Sequence, residues 1–241
     1  MKVHVLTNKA EILNEKLNDK VVIVLDILFA TTSIVSAFAN GCKQVVPMPD
    51  SRSALEISKL SKFKDYLLSG ELNADTLEGF SHPTPMAIIE SGINDRGLIY
   101  CTTNGTVALH NAKEANHVYA GSLLNGQALV RHVLEKHPSS TVLIVCSGSS
   151  DQFNLEDFYG AGQLVDLFKR ENLDYQLNFS DSSLAASYLY KSDSATSVLN
   201  NSRVGQMMLR RNLESEVKYA AQENITDVIP TLNSDGYLRV Y

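Results

Sequence analysis

The chain has 241 residues, 44% hydrophobic and 20% charged, enough for one large α/β domain or two small ones. Its formal net charge of −6 and scattered positive residues argue against a nucleic-acid-binding protein, which needs a basic face. It contains no CxxC pair, no signal-peptide-like apolar start and no apolar run approaching about 18 residues, so we predict a cytoplasmic protein with no membrane partner.

Strands and helices alternate along the first part of the chain. Residues 21–25 form a continuous apolar run rich in β-branched side chains, typical of a strand buried on both faces. The other predicted strands are 3–6, 44–46, 66–68, 98–101, 117–120 and 141–146. The predicted helices are 30–40, stopped by Gly41, then 51–60, 85–90, a helix from Thr106 to Ala115, 123–136 and 155–170. This alternation predicts a three-layer α/β/α sandwich.

The pattern changes after Asn172. Helices are predicted over 182–190, 195–199 and 204–222, followed by closing strands over 227–230 and 236–240. With no repeat and no clean linker, we expect residues 1–241 to form one compact unit. Two intertwined subdomains, about 1–172 and 173–241, are the alternative.

Polar side chains follow several of the predicted strands. In α/β sheets ligands bind at the carboxyl ends of strands, where loops and helix N-termini converge. The residues at such positions are Asp26 with Thr31, Thr32 and Ser33; Glu71; Thr102–Thr106; and Ser147–Asp157.

Asp26 directly follows the buried run of residues 21–25. A carboxylate there must be paired, bound to a metal or protonated, because an isolated buried charge is too costly. Alternatively, Asp26 caps the helix that starts at Ala30, since Asp is a favoured capping residue. The pattern alone leaves both interpretations open.

The turn Thr102-Thr103-Asn104-Gly105-Thr106 joins a strand to a helix. Its backbone N–H groups and hydroxyls are suited to holding an oxyanion. It lacks the Walker A pattern, and taken alone the turn is better explained as a plain strand-to-helix turn with a Thr cap.

Four carboxylates occupy the predicted strand ends and the helix start that follows. Mg²⁺ prefers oxygen ligands, so Asp26, Glu71, Glu156 and Asp157 together suit that ion. The alternative for Glu156 and Asp157 is a favourable interaction with the helix dipole. No histidine spacing matches a metal motif, and His82, in a loop before a helix, is the histidine most worth testing.

Several motifs together resemble the 2-phosphosulfolactate phosphatase family over nearly the whole chain. The most specific are Asp26-x-x-x-Ala30-Thr31-Thr32 and Thr102-Thr103-Asn104-Gly105-Thr106. The others, in order, are Asn40-Gly41, Gly70-Glu71, Cys146-Ser147-Gly148, Leu155-Glu156-Asp157, Ala161-Gly162, the tail residues Ser202, Gly205 and Leu209, and Asp227-Val228-Ile229-Pro230.

The resemblance implies an α/β/α fold with a mixed, largely parallel sheet and a Mg²⁺-dependent phosphatase. The family enzyme hydrolyses 2-phospho-3-sulfolactate to 3-sulfolactate and phosphate in coenzyme M biosynthesis, so the implied partner is a small phosphate ester. We leave open whether the chain forms a homodimer. Carried over by motif position, the implied catalytic residues are Asp26, Glu71 and Glu156, the metal ligands are Asp26, Glu156 and Asp157, and the substrate-binding residues are Thr31, Thr32, Thr102, Thr103, Asn104, Gly105, Thr106 and Ser147.

Three positions depart from the family pattern. Phe29 and Leu72 stand where the family usually has arginine, and Ser81-His82-Pro83-Thr84-Pro85 replaces a Gly-Asn-Ser-Pro loop. Arginine forms bidentate hydrogen bonds with phosphate and sulfonate. Each lost charge-assisted contact costs about 1.5–3 kcal/mol of binding free energy. The alternative function is therefore a homologue with altered specificity, or one that binds a small anion without catalysis.

Overall fold

Eleven strands and ten α-helices are present in the part of the chain that the computed structural model describes, residues 1–149, 152–171 and 176–240. The strands are β1 Lys2–Leu6, β2 Lys20–Leu25, β3 Gln44–Met48, β4 Tyr66–Leu72, β5 Asp75–Thr76, β6 Gly97–Cys101, β7 His117–Gly121, β8 Thr141–Cys146, β9 Asn178–Phe179, β10 Thr231–Leu232 and β11 Leu238–Arg239. The helices are α1 Ala30–Ala39, α2 Ser51–Ser58, α3 Pro85–Glu90, α4 Gly105–Asn111, α5 Gly126–Lys136, α6 Leu155–Glu171, α7 Asp181–Ser192, α8 Ala195–Asn201, α9 Arg203–Arg210 and α10 Glu214–Ala220.

The strands form one mixed, mostly parallel sheet in the order β5-β4-β6-β3-β11-β10-β7-β2-β8-β1-β9. One parallel block contains β4, β6 and β3, and the other contains β7, β2, β8, β1 and β9. The antiparallel hairpin β10–β11 joins the two blocks. This architecture confirms the predicted α/β class with a mixed, largely parallel sheet.

The sheet has apolar clusters on its two faces. In β2, Val21, Ile23 and Leu25 belong to one cluster, whereas Val22 and Val24 belong to the other. Successive strand residues point to opposite faces, so a strand covered on both sides must be apolar throughout. The first cluster packs against α6 and the second against α1. The three-layer prediction is thereby confirmed.

The two parallel blocks run in opposite directions, because three successive antiparallel pairings separate β3 from β7. In a flat sheet the carboxyl ends of β4 and β2 would lie at opposite edges, six strand steps apart. The carboxyl ends of the two blocks nevertheless meet, because Gly105, after β6, lies against Asp26 and Ala30, after β2. This contact requires the sheet to twist and curve rather than lie flat.

Most helix boundaries have a local cause. The Asp50 carboxylate caps α2 by accepting the Ser53 N–H at 2.9 Å, as the prediction of a helix from 51 requires. Gly41 follows α1 with φ of 85°, a conformation that favours glycine, and it confirms the predicted stop. The predicted helix 123–136 begins instead with a 3₁₀ turn, Leu123–Asn125, capped by Ser122.

The C-terminal prediction was wrong in two places. The single helix expected over 204–222 is two helices, α9 and α10, separated near Asn212, which adopts φ of 59°. The strand expected over 227–230 starts at Thr231 instead. Pro230 has no N–H to donate, and its carbonyl accepts the N–H of Ala120 just before the strand begins. The two-residue strands β5 and β9 carried no recognisable pattern. Among the described helices, none is both long and apolar enough to span a membrane.

Candidate active site

The predicted strand-end residues meet around one cavity of about 160 Å³, here called the strand-end cavity. It lies where the carboxyl ends of β2, β4, β6 and β8 converge with the start of α9. Its lining combines three carboxylates, one guanidinium, polar groups and apolar side chains. These residues are Asp26, Phe29, Glu71, Asn73, Ala74, Thr103, Asn104, Gly148, Ser149, Asn154, Glu156, Arg203, Val204 and Met207.

Asp26 lines this cavity in the turn between β2 and α1. Its carboxylate accepts the backbone N–H groups of Phe29 and Ala30, which fixes its orientation at the start of α1. Burial, together with the neighbouring carboxylates of Glu71 and Glu156, raises the pKa of Asp26 to about 7, against the opposing effect of those two N–H groups. Asp26 thus accepts N–H groups at the start of the helix, as the capping interpretation expects, and it also faces the cavity. A metal-binding role for Asp26 stays a prediction.

Thr31 and Thr32 support the Asp26 turn. The Thr31 Oγ1 accepts the Asp26 N–H at 2.7 Å, and the Thr32 hydroxyl donates to the Ile27 carbonyl at 2.6 Å. Both threonines are buried and neither lines the strand-end cavity. The structure therefore places them beneath the site, and their substrate-binding role stays a prediction.

Glu71 holds two segments of the cavity wall together. One carboxylate oxygen accepts the Thr103 N–H at 2.6 Å, and the other accepts the Ala74 N–H at 2.6 Å and the Thr103 hydroxyl at 3.0 Å. Asn73 and Ala74 have φ of 54° and 65°, which is unfavourable for side chains other than glycine. The Ala74 bond to Glu71 stabilises this turn, and the two bonds from Thr103 hold Glu71 against the neighbouring segment.

The Thr102–Thr106 turn is held largely by its own hydrogen bonds. The Thr102 N–H donates to the Thr106 hydroxyl at 3.1 Å, and the Thr106 N–H donates to the Thr102 hydroxyl at 3.2 Å. Of this turn, Thr103 and Asn104 line the cavity. Gly105 is required by space, because a Cβ at that position would lie 2.6 Å from Asp26 Oδ2. Oxyanion binding by this turn stays a prediction.

Glu156 and Asp157, at the start of α6, have different environments. Glu156 lines the cavity, and its Oε2 is buried with no hydrogen-bond partner among the described residues. Asp157 instead ties two strand ends together, with Oδ1 accepting the Ile27 N–H at 2.9 Å and Oδ2 accepting the Gly148 N–H at 3.1 Å. Burial raises the pKa of both carboxyls, and the nearby charges of Glu156 and Asp26 raise that of Asp157 further.

Two further predicted positions lie away from the cavity lining. Ser147 is fully buried, and its hydroxyl has no partner within the described part of the chain. The Nδ1 of His82 lies 2.9 Å from the Thr84 hydroxyl, which donates to the buried Glu216 at 2.6 Å. Burial lowers the pKa of His82. Glu216 also accepts the Met86 and Ala87 N–H groups, so this network fixes the start of α3.

Two basic residues at the site escaped the sequence analysis. Arg203, the first residue of α9, lines the cavity. The Lys9 ammonium is buried and donates to Asn104 Oδ1 at 3.1 Å and to the Ser147 carbonyl at 3.3 Å. Arg203 does not follow a predicted strand. Lys9 lies shortly after the predicted strand 3–6 but was not included among the polar strand-end residues. The available signal for Arg203 was its position between Ser202 and Gly205, both noted in the tail motif.

The two positions at which the family usually has arginine, Phe29 and Leu72, lie in different environments. Phe29 is buried and contributes to the cavity wall, so an apolar ring replaces an expected charge there. Leu72 is 58% exposed and is not among the cavity-lining residues. Only the change at Phe29 therefore alters the cavity itself.

The donor atoms present suit a hard cation bound by few protein ligands. No cluster of three or more His, Cys, Asp or Glu side chains within the described ranges is arranged to hold a metal. Mg²⁺ commonly uses one or two carboxylates, with water and substrate phosphate completing its shell. Asp26 and Glu156 face the same cavity, repel one another, and include the unpartnered Glu156 Oε2. These two carboxylates fit Mg²⁺.

Comparisons with known proteins identify the family of this chain. The family model for 2-phosphosulpholactate phosphatase matches residues 6–235. A probable 2-phosphosulfolactate phosphatase from Clostridium novyi is 32% identical over 95% of this chain and 96% of its own length. Another so named, from Carboxydothermus hydrogenoformans, is 32% identical over 99% and 94%, and one from Clostridium botulinum is 27% identical over all of both chains. The resemblance found in the sequence is confirmed, and the chain belongs to the 2-phosphosulpholactate phosphatase family, whose name denotes phosphoric monoester hydrolases.

Proposed function

We propose that this protein is a Mg²⁺-dependent phosphatase that hydrolyses a small anionic phosphate monoester, 2-phosphosulfolactate or a relative, to the alcohol and phosphate. The observation that carries this proposal is the pair Asp26 and Glu156, which face one cavity with a buried, unpartnered oxygen on Glu156. The family names supply the substrate class.

The charge of the strand-end cavity explains why a cation is needed. Asp26, Glu71 and Glu156 contribute three carboxylates against the guanidinium of Arg203. A phosphate monoester dianion is repelled by such a surface, and burial strengthens that repulsion. Asp26 and Glu156 would hold a divalent cation, whose charge would offset this repulsion.

The protein's own residues position the Asp26 carboxylate and the cavity wall for the reaction. The Phe29 and Ala30 N–H groups hold the Asp26 carboxylate in one position, while Glu71 fixes the wall at Thr103 and Ala74. When bound, Mg²⁺ supplies Lewis-acid stabilisation of phosphoryl charge and lowers the pKa of a water ligand. Asp26 then acts either as a nucleophile or as the group that orients the attacking water. Trapping of a phosphorylated Asp26 distinguishes these two roles.

A second candidate function follows from Phe29. The Phe29 ring forms part of the cavity wall at a position where the family usually has an arginine. Because the cavity lacks that positive charge, its substrate can carry fewer negative charges than 2-phosphosulfolactate. The same change allows a homologue that binds an anion without turning it over. Both of these possibilities retain the Asp26–Glu156 pair. The first differs from the main proposal in the ester that is preferred, and the second differs in that no ester is hydrolysed.

The experiment measures phosphate release from 2-phosphosulfolactate and a panel of simpler phosphate esters, with Mg²⁺ and with EDTA. We expect release that EDTA abolishes and Mg²⁺ restores. Release that is unaffected by EDTA refutes the metal requirement. No release from any ester, by protein shown to be folded, refutes the phosphatase and leaves the binding function.

A further inference from the structure

Arg203 has an unusual position among the charges of the strand-end cavity. Of the described residues that line the cavity, it is the sole one with a basic side chain. Its Nη2 donates to the Ser149 hydroxyl and to Asn154 Oδ1, the latter at 3.2 Å. Both acceptors are neutral, and Arg203 takes part in none of the ion pairs between described residues. Its charge is therefore oriented by neutral groups and is not paired with a carboxylate of the described residues.

The backbone below this side chain is firmly placed. The Ser202 hydroxyl caps α9 by accepting the Gly205 N–H at 3.0 Å. Gly205 packs so closely against the Leu199 carbonyl that a Cβ has no space there. The guanidinium is thus presented from a fixed helix start, while its partner Asn154, which is buried, holds it from the opposite segment.

Arg203 and Asp26 are held by different segments of the cavity wall. The Arg203 guanidinium is bonded to Ser149 and Asn154, between β8 and α6. The Asp26 carboxylate instead accepts N–H groups at the start of α1 and lies against Gly105. Val204 and Met207, from the same helix as Arg203, add apolar side chains to the lining. A substrate whose phosphoryl group lies at Asp26 can therefore present a second group to Arg203.

We propose that Arg203 binds a second acidic group of the substrate, a carboxylate or a sulfonate, and so selects acidic phosphate esters over neutral ones. The planar guanidinium presents paired N–H donors that match an oxyanion. This inference rests on the proposed function for the identity of the substrate, and it makes Arg203 a specificity-determining residue.

Two esters with the same carbon skeleton test the inference. In 2-phospholactate a carboxylate occupies the place of a methyl group in isopropyl phosphate. For Arg203→Gln we expect kcat/KM on 2-phospholactate and 2-phosphosulfolactate to fall about 10- to 100-fold, mainly through KM, as for loss of one charge-assisted contact. Isopropyl phosphate should be hydrolysed equally well by the variant and the wild type.

Two further variants separate binding from structure. Arg203→Lys keeps the positive charge but cannot form the bidentate contact. Its kcat/KM on acidic esters should therefore lie between those of Arg203→Gln and the wild type. Arg210→Gln removes an exposed arginine of the same helix that does not line the cavity, and it should leave both esters unaffected. An equal loss on acidic and neutral esters with Arg203→Gln overturns the inference, because Arg203 then acts at the phosphoryl group or on the fold.

A binding measurement keeps this test apart from that of the phosphatase. 3-Sulfolactate carries both acidic groups but no phosphate, and its binding is measured by calorimetry in the presence of Mg²⁺. Tighter binding to the wild type than to Arg203→Gln supports the inference even if no ester is hydrolysed. Equal affinity of the two proteins overturns it, whatever the outcome of the phosphate-release assay.

Discussion

Replacement of Asp26 by Asn should abolish turnover and, at the same time, stabilise the metal-free protein above neutral pH. The pKa of Asp26 is raised from an ordinary 3.8 to about 7, so the folded state holds a proton that the unfolded state releases between those pH values. Stability therefore falls as pH rises through this window. A shift of about three units corresponds to at most about 4 kcal/mol. Asn has no such proton to lose.

The assay is urea unfolding of both proteins in EDTA at pH 4 and pH 8. The variant should exceed the wild type by up to about 4 kcal/mol at pH 8, and the two should be similar at pH 4. Asp65→Asn, which changes an exposed carboxylate away from the cavity, is the matched control and should show no such pH dependence. Mg²⁺ at pH 8 should stabilise the wild type selectively, because it neutralises the charge that the variant lacks. A difference between variant and wild type that is the same at both pH values refutes the reasoning.

Two further substitutions test the packing and the polar support around the cavity. Gly105→Ala places a methyl group against Ala30 and Asp26 and should destabilise the protein by about 1–3 kcal/mol and reduce phosphate release; unchanged urea midpoint and rate would contradict this. Glu216→Gln replaces one acceptor oxygen of the α3 network with a donor and should cost about 1–3 kcal/mol by urea unfolding, while activity per folded molecule stays constant. A loss of activity without a loss of stability would instead connect Glu216 to the reaction.

Local sequence patterns predicted the elements that nearest-neighbour chemistry controls. Examples are the apolar runs of β2 and β8, the Asp50 cap of α2 and the glycine after α1. Each of these features depends on residues that are close together in the sequence. The strand-end rule also selected Asp26, Glu71 and Glu156, which line one cavity. Their chemical roles and the Mg²⁺ requirement stay predictions, because the structure shows positions and charges and not turnover.

By itself, the sequence determined the α/β class, most helix and strand positions and the acidic residues at the strand ends, since those follow from local periodicity and capping. Only the tertiary structure decided that the C-terminal hairpin β10–β11 lies between the two parallel blocks. The strand ends of both blocks line one cavity, and packing of α9 places Arg203 at the same cavity as Glu156. These arrangements join residues far apart in the chain, and no local pattern records which distant segments will pair.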